Sequence, residues 1–171
     1  TSGVLTTLTL PTGITLDSAA RPRFAVFGKY VVGVNSASRP ITVDAEGTVR
    51  VLTPHTPRTK PTLTTGTGGL TGTYKVKQTF IIQDLDGTII SESGFGSESD
   101  SGSVTAQALA VAGLDLATDT VSASRVYRTI TGPGTSYFPW VDVDGNTGTT
   151  IEDDLADASL ELVAAPELGD A

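Results

Sequence analysis

The chain has 171 residues, no cysteine, no methionine and a single histidine, His55. It is too short for a TIM barrel or a closed multi-blade propeller, and its residues exclude disulfides, thiolate metal sites, cysteine nucleophiles and multi-histidine zinc sites. The formal net charge is −8 but unevenly placed: residues 1–70 hold seven Lys/Arg against three Asp/Glu, net +4, and residues 71–171 hold four against sixteen, net −12.

Threonine makes up about one residue in six, with 19 Gly and 9 Pro, the composition of an all-β protein rich in turns. No run approaches the length of an apolar membrane-spanning helix, and no basic then apolar leader opens the sequence, so neither a membrane partner nor a signal peptide is expected. Residues 4–10 read as a strand, broken by Pro11-Thr12-Gly13, with 14–16 extended and 17–20 a turn. Arg23–Phe27 and 30–34 pair as a hairpin over Gly28-Lys29. After a turn at 35–39, short strands at 40–44 and 48–52 flank Ala45-Glu46-Gly47. Residues 1–52 thus predict a β-rich arm or four-stranded meander, like one propeller blade. Such a sheet cannot bury both faces alone and must pack on the other half or on a partner chain.

Residues 53–70 carry three prolines and then three glycines, which predicts a stiff and then flexible linker, with His55 a solvated part of it. From Gly72 to Ile82 the pattern alternates, with Tyr74, Val76, Gln78, Phe80 and Ile82 on one face. Asp84-Leu85-Asp86-Gly87 then returns the chain into 88–91. Residues 92–103 read as a polar loop, and 104–111 as either a strand or a helical turn. Strands follow at 123–130 and 136–143, with a turn at 131–134 between them. Pro139 marks the second strand as an edge or a bulged strand. A turn at Asp144-Gly145-Asn146, a last strand at 149–153 and a helical turn at 154–160 complete the pattern. Residues 71–162 are therefore expected to form an antiparallel immunoglobulin/fibronectin III-like β-sandwich, with 163–171 as a tail. Its core candidates are Tyr74, Phe80, Tyr127, Phe138 and Trp140.

Little here suggests chemistry. Asp142-Val143-Asp144-Gly145-Asn146 has its glycine at position 4 of a calcium-type loop instead of 6, without flanking helices, so it reads as a turn. The glycine-rich stretches 66–69 and 94–97 lack a following Gly-Lys-Ser/Thr. No enzyme activity, cofactor, metal or small-molecule substrate is expected. The basic residues are scattered and not interleaved with aromatics, so nucleic acid is not an expected partner. A basic half on an acidic half suits head-to-tail contacts between copies, or docking on an acidic assembly. Arg21, Arg23, Lys29 and Arg39 are the candidate docking residues.

Two runs carry a resemblance. Gly72-Thr73-Tyr74-Lys75-Val76 with Asp86-Gly87 and Glu92-Ser93 is one. Arg125-Val126-Tyr127-Arg128-Thr129 with Gly134, Tyr137-Phe138, Asp153-Asp154 and Ala156-Asp157-Ala158-Ser159-Leu160 is the other. Together they resemble the fibronectin type III-like modules of structural proteins in tailed bacteriophages. The earlier run Arg21-Pro22-Arg23-Phe24-Ala25 with Tyr30-Val31-Val32, Asn35 and Arg39-Pro40 is similar to the opening blade of propeller-like head–tail or tail components. The resemblance implies a virion structural protein, assembled in the host cytoplasm, whose partners are other virion proteins (major capsid, neck or tail) and its own copies. Capsid decoration is slightly preferred over a head–tail connector or tail component. A module binding host glycan or receptor, with Tyr137 and Trp140 near Asp142 as a sugar surface, is the alternative of another class.

Overall fold

A computed structural model describes residues 7–11, 14–15, 19–35, 38–83, 86–118, 121–132, 136–145 and 147–160. Four strands come first: β1 (Arg23–Phe27), β2 (Tyr30–Asn35), β3 (Ser38–Val43) and β4 (Val49–Val51). They form one antiparallel sheet in chain order, the expected meander. Phe27 pairs with Tyr30 across a two-residue turn in which Gly28 has φ +57. Positive φ at the first central position suits the twist of a hairpin and is free of strain only in glycine. Residues 4–6 of the first expected strand lie outside the described residues, and 7–10 are not in a strand.

Seven strands then build a β-sandwich: β5 (Thr62–Tyr74), β6 (Val76–Gln83), β7 (Ile89–Glu92), β8 (Gly102–Ala112), β9 (Ala123–Thr129), β10 (Tyr137–Asp144) and β11 (Ile151–Asp153). A one-turn helix, α1 (Asp157–Leu160), follows. One sheet has the order β10-β9-β6-β7 and the other β11-β8-β5. In the first, β6 and β9 pair centrally and each carries its own hairpin partner outside. That is the pairing of the G-F-C sheet of immunoglobulin-type sandwiches, extended by one strand. In the same scheme β5 and β8 take the places of B and E, and β11, last in the chain, takes the edge beside E. The segment that read as strand or helical turn is strand β8. Pro139 lies on edge strand β10, whose register jumps between Pro139, opposite Tyr127, and Val141, opposite Val126. The edge and the bulge therefore occur together, as a residue without an N–H requires.

The linker reading of 53–70 is corrected. Residues 62–70 belong to β5 and pair with β8, so the sandwich begins at Thr62 and not at 71. Residues 53–61 lie against the sandwich, with Pro54, Pro57 and Pro61 buried. Asp115 fastens this strap by accepting from the backbone N–H of Arg58 at 2.6 Å and the Thr59 hydroxyl at 2.8 Å. Burial raises the Asp115 pKa, but these bonds outweigh it and hold the carboxyl below its usual value. His55 is not solvated: its ring meets Phe80 edge-on, centroids 5.2 Å apart, and is half-buried.

Two apolar clusters hold the molecule. Leu70, Tyr74, Val76, Val104, Leu109, Val111, Leu114 and Val126 fill the sandwich, with Trp140 and Val141 packed against them. Ile14, Ile41, Val49 and Val51 of the N-terminal part close on Ile82 of β6, with Ile90 of β7 alongside. The meander thus covers part of one face on the sandwich, as the blade argument required. Of the expected core aromatics, Tyr74, Phe80 and Tyr127 are buried. Phe138 and Trp140 are only half-buried, because edge strand β10 has a neighbour on one side alone.

Candidate docking surface

Among the described residues, the most exposed of the large apolar side chains gather on one strand. Phe24, Val26 and Phe27 of β1 are 60%, 78% and 76% exposed, and all five residues of β1 are exposed. Ring atoms of Phe24 lie over Gly33, where an added Cβ would come within 2.8 Å of them. Phe27 borders a groove of about 450 Å³ with Tyr30, Val32, Leu52, Ile89 and Ile90. β1 is the outermost strand of its sheet, so one row of its backbone N–H and C=O groups has no strand partner. Open edges of this kind are usually blunted by charge, proline or a bulge. β1 has no proline, its one charged residue, Arg23, stands at its very start, and its register with β2 runs unbroken from Arg23 opposite Val34 to Phe27 opposite Tyr30.

The four expected docking residues divide. Arg21 and Arg23 stand at the start of β1, exposed beside Val34 and Asn35, with no ion pair among the described residues. Asn35 fixes this corner by donating from Nδ2 to the Ala20 carbonyl at 2.9 Å. Lys29 lies at the β1–β2 turn, 3.4 Å from Asp86 of the sandwich and over the ring of Tyr30. Arg39 is half-buried in β3. Arg21 and Arg23 therefore share the open edge, whereas Lys29 joins the meander to the β6–β7 turn.

The acidic half spends many of its carboxylates internally. On the outer face of the β10-β9-β6-β7 sheet, Arg125 donates to both oxygens of Asp142, at 2.7 and 2.8 Å. Asp142 is thereby occupied, Asn146 lies outside the described residues, and among the described residues no group of three His, Cys, Asp or Glu is placed to hold a metal. Glu92 accepts from the hydroxyls of Thr79 and Tyr127. Glu98 accepts from Lys75 and from the Tyr137 hydroxyl, which with nearby Lys77 brings its pKa down to about 2. Burial first, and then a carboxylate acceptor, push both tyrosine hydroxyls well above the usual range. Phe95 covers Tyr127 edge-on at 4.8 Å, so Tyr127 is buried under the 93–99 run and not between the sheets. Tyr137 lies on this outer face beneath Lys77, while Trp140 packs on the inter-sheet core, so the two rings form no common platform.

Glu152 and Asp154 differ. Both are exposed and make no ion pair among the described residues. Their side chains reach over β5: an added Cβ at Gly66 would meet Glu152, and one at Gly68 would meet Asp154. The N–H of Gly69 donates to Asp154 at 2.5 Å.

Arg-Val-Tyr-Arg-Thr has a structural explanation in strand alternation. Arg125, Tyr127 and Thr129 take one face of β9, and Val126 and Arg128 the other. Arg128 is fully buried. It forms ion pairs with Asp153 and Asp157, donates to the Leu155 carbonyl at 2.8 Å and stacks on Tyr74 at 4.7 Å. Burial drives the Asp153 pKa up. Burial also raises Asp157, but the bonds from Arg128 and Thr131 outweigh that and leave it lowered. The strand motif and the Asp-rich closing segment are thus two sides of one clasp, and Leu160 is buried behind it.

No family model, curated protein or solved structure matches this chain. The exposed β1 apolar residues and the Glu152–Asp154 pair were not singled out in the sequence. One signal for β1 was available: Phe24-Ala25-Val26-Phe27 is a continuous apolar run, as in strands covered on both faces, yet here both faces are open.

Proposed function

We propose that this chain is a non-enzymatic structural protein of a tailed-phage virion that docks through its N-terminal sheet and presents the sandwich outward. The observation that carries the reading is β1: an apolar edge strand, free of proline and bulge, exposed on both faces and headed by two guanidinium groups without ion pairs among the described residues. Burying one phenylalanine contributes roughly 1.5–3 kcal/mol, and an added strand also satisfies the open backbone row. Such a surface is suited to assembly. The resemblance of the Arg125–Thr129 and Asp153–Leu160 runs to phage modules supplies the setting. Other virion proteins and further copies of the chain are the partners. Decoration of the capsid is preferred over a head–tail or tail position, because a short chain divided into a docking sheet and a sandwich suits attachment to a preformed shell.

The test is the number of copies per purified particle of a phage encoding the chain, measured by quantitative mass spectrometry. Wild type is expected in the particle at a fixed stoichiometry, and the double variant Arg21→Glu, Arg23→Glu severalfold below it. Absence of wild type from particles contradicts the virion reading. Equal incorporation of the variant contradicts docking through these arginines.

A further inference from the structure

We infer that the occupant of the β1 edge is strand β5 of a second copy of this chain, added head to tail. The inference deepens the docking reading above and takes from it that β1 is an assembly surface. Among the sandwich edges, β10 is interrupted by Pro139 and its bulge, β11 has three residues and β7 has four. β5 is different: thirteen residues long, free of charge and proline, and outermost in its sheet. Its first stretch, 62–66, pairs regularly with β8 before the register shifts after Gly66. That straight stretch has the five-residue length of β1.

Charge sets the direction. Laid antiparallel, β1 of one copy meets β5 of the next with Phe27 opposite Thr62, Ala25 opposite Thr64 and Arg23 opposite Gly66. Arg23 then faces Glu152, which lies over Gly66, and Arg21, two residues on, faces Asp154, which lies over Gly68. Four groups that form no ion pair among the described residues of one chain thereby pair between two. A β1-to-β1 pairing leaves both arginines without an acid. Because the two contacting patches differ, each copy keeps a free β1 at one end and a free β5 at the other, so the contact propagates into a ring or a filament.

The chain lacks cysteine, so introduced thiols are the only ones present. Oxidising the variant Ala25→Cys, Thr64→Cys is expected to give a ladder of covalent multiples, and neither single variant a covalent dimer. No ladder, or a dimer from either single variant, overturns the pairing. Charge variants supply a second test at exposed positions, independent of disulfide geometry. Arg21→Glu, Arg23→Glu blocks one end, and Glu152→Lys, Asp154→Lys the other. Each alone is expected to stay at the single-chain mass of 17.6 kDa, and their mixture to regain oligomers in which the two variants alternate, because the intact ends pair as in wild type and the reversed ends pair acid with lysine. A mixture that stays monomeric, or a variant that still self-associates, overturns the inference. Copies that do not pair yet enter particles refute this inference alone; copies that pair but are absent from particles refute the virion reading alone.

Discussion

At the scale of single residues, the most consequential side chain is Arg128. A guanidinium with no exposed surface is tolerable only when its charge is compensated, and here Asp157 and the carbonyls of Leu155 and Thr129 accept from Nη1 and Nη2 while Asp153 lies in ion-pair contact with Nε, which makes no hydrogen bond. Removing one partner strands the other, since Asp153 is itself fully buried. Arg128→Ala is therefore expected to lower unfolding free energy by about 3–5 kcal/mol, read from urea denaturation. Arg128→Met combined with Asp153→Leu leaves no buried charge, because Asp157 is partly exposed and returns to water, and should cost much less. Equal losses in the two variants would mean that Arg128 acts through packing alone.

At the scale of elements, the polar run after β7 acts as an irregular strand. Ser93, Gly96 and Ser99 donate their N–H groups to the carbonyls of Phe80, Gln78 and Val76. The hydroxyls of Ser93 and Ser99 accept from the N–H groups of Phe80 and Val76. Glu98 ties this run to the junction of β5 and β6 through Lys75 and to β10 through Tyr137. Its pKa falls from 4.5 to about 2 on folding, so its contribution is fully present above 4.5 and fades as the pH drops toward 2. Asp44, Asp115 and Asp157 are lowered too and act in the same direction, while the raised Asp153 opposes them. The urea midpoint of wild type should therefore fall across this acid window, and that of Glu98→Gln should fall less. An equally steep fall in the variant would remove Glu98 from the account. Elements specified by adjacent residues were legible: the Gly28-Lys29 hairpin, the four-stranded meander, the edge and bulge at Pro139 and the closing helical turn. The 53–70 segment was misread because its prolines and glycines are local signals, whereas pairing with β8 and fastening by Asp115 come from distant positions. Arg21 and Arg23 were legible as docking candidates through charge. That β1 lies open and that Glu152 and Asp154 lie over β5 are tertiary facts without a local signature.

At the scale of the whole molecule, the +4 and −12 halves are paired only in part among the described residues, Lys60 with Asp100 at 2.5 Å being one such pair. Lys29–Asp86 links the meander to the sandwich, yet Arg21 and Arg23 at one end and Glu152 and Asp154 at the other form no ion pair among the described residues. Exposed charges of this kind act over about 8–10 Å at moderate ionic strength, so in the proposed contact they set the direction and add a salt-sensitive part to the association. The apolar β1 side chains and the shared backbone row supply the rest. The most direct test of the pairing of β1 with β5 of a second copy is the native mass of the purified chain by light scattering, at two concentrations and two salt levels. The account predicts a mass above 17.6 kDa that rises with concentration and falls with added salt. A mass fixed at that of one chain under all four conditions would contradict it.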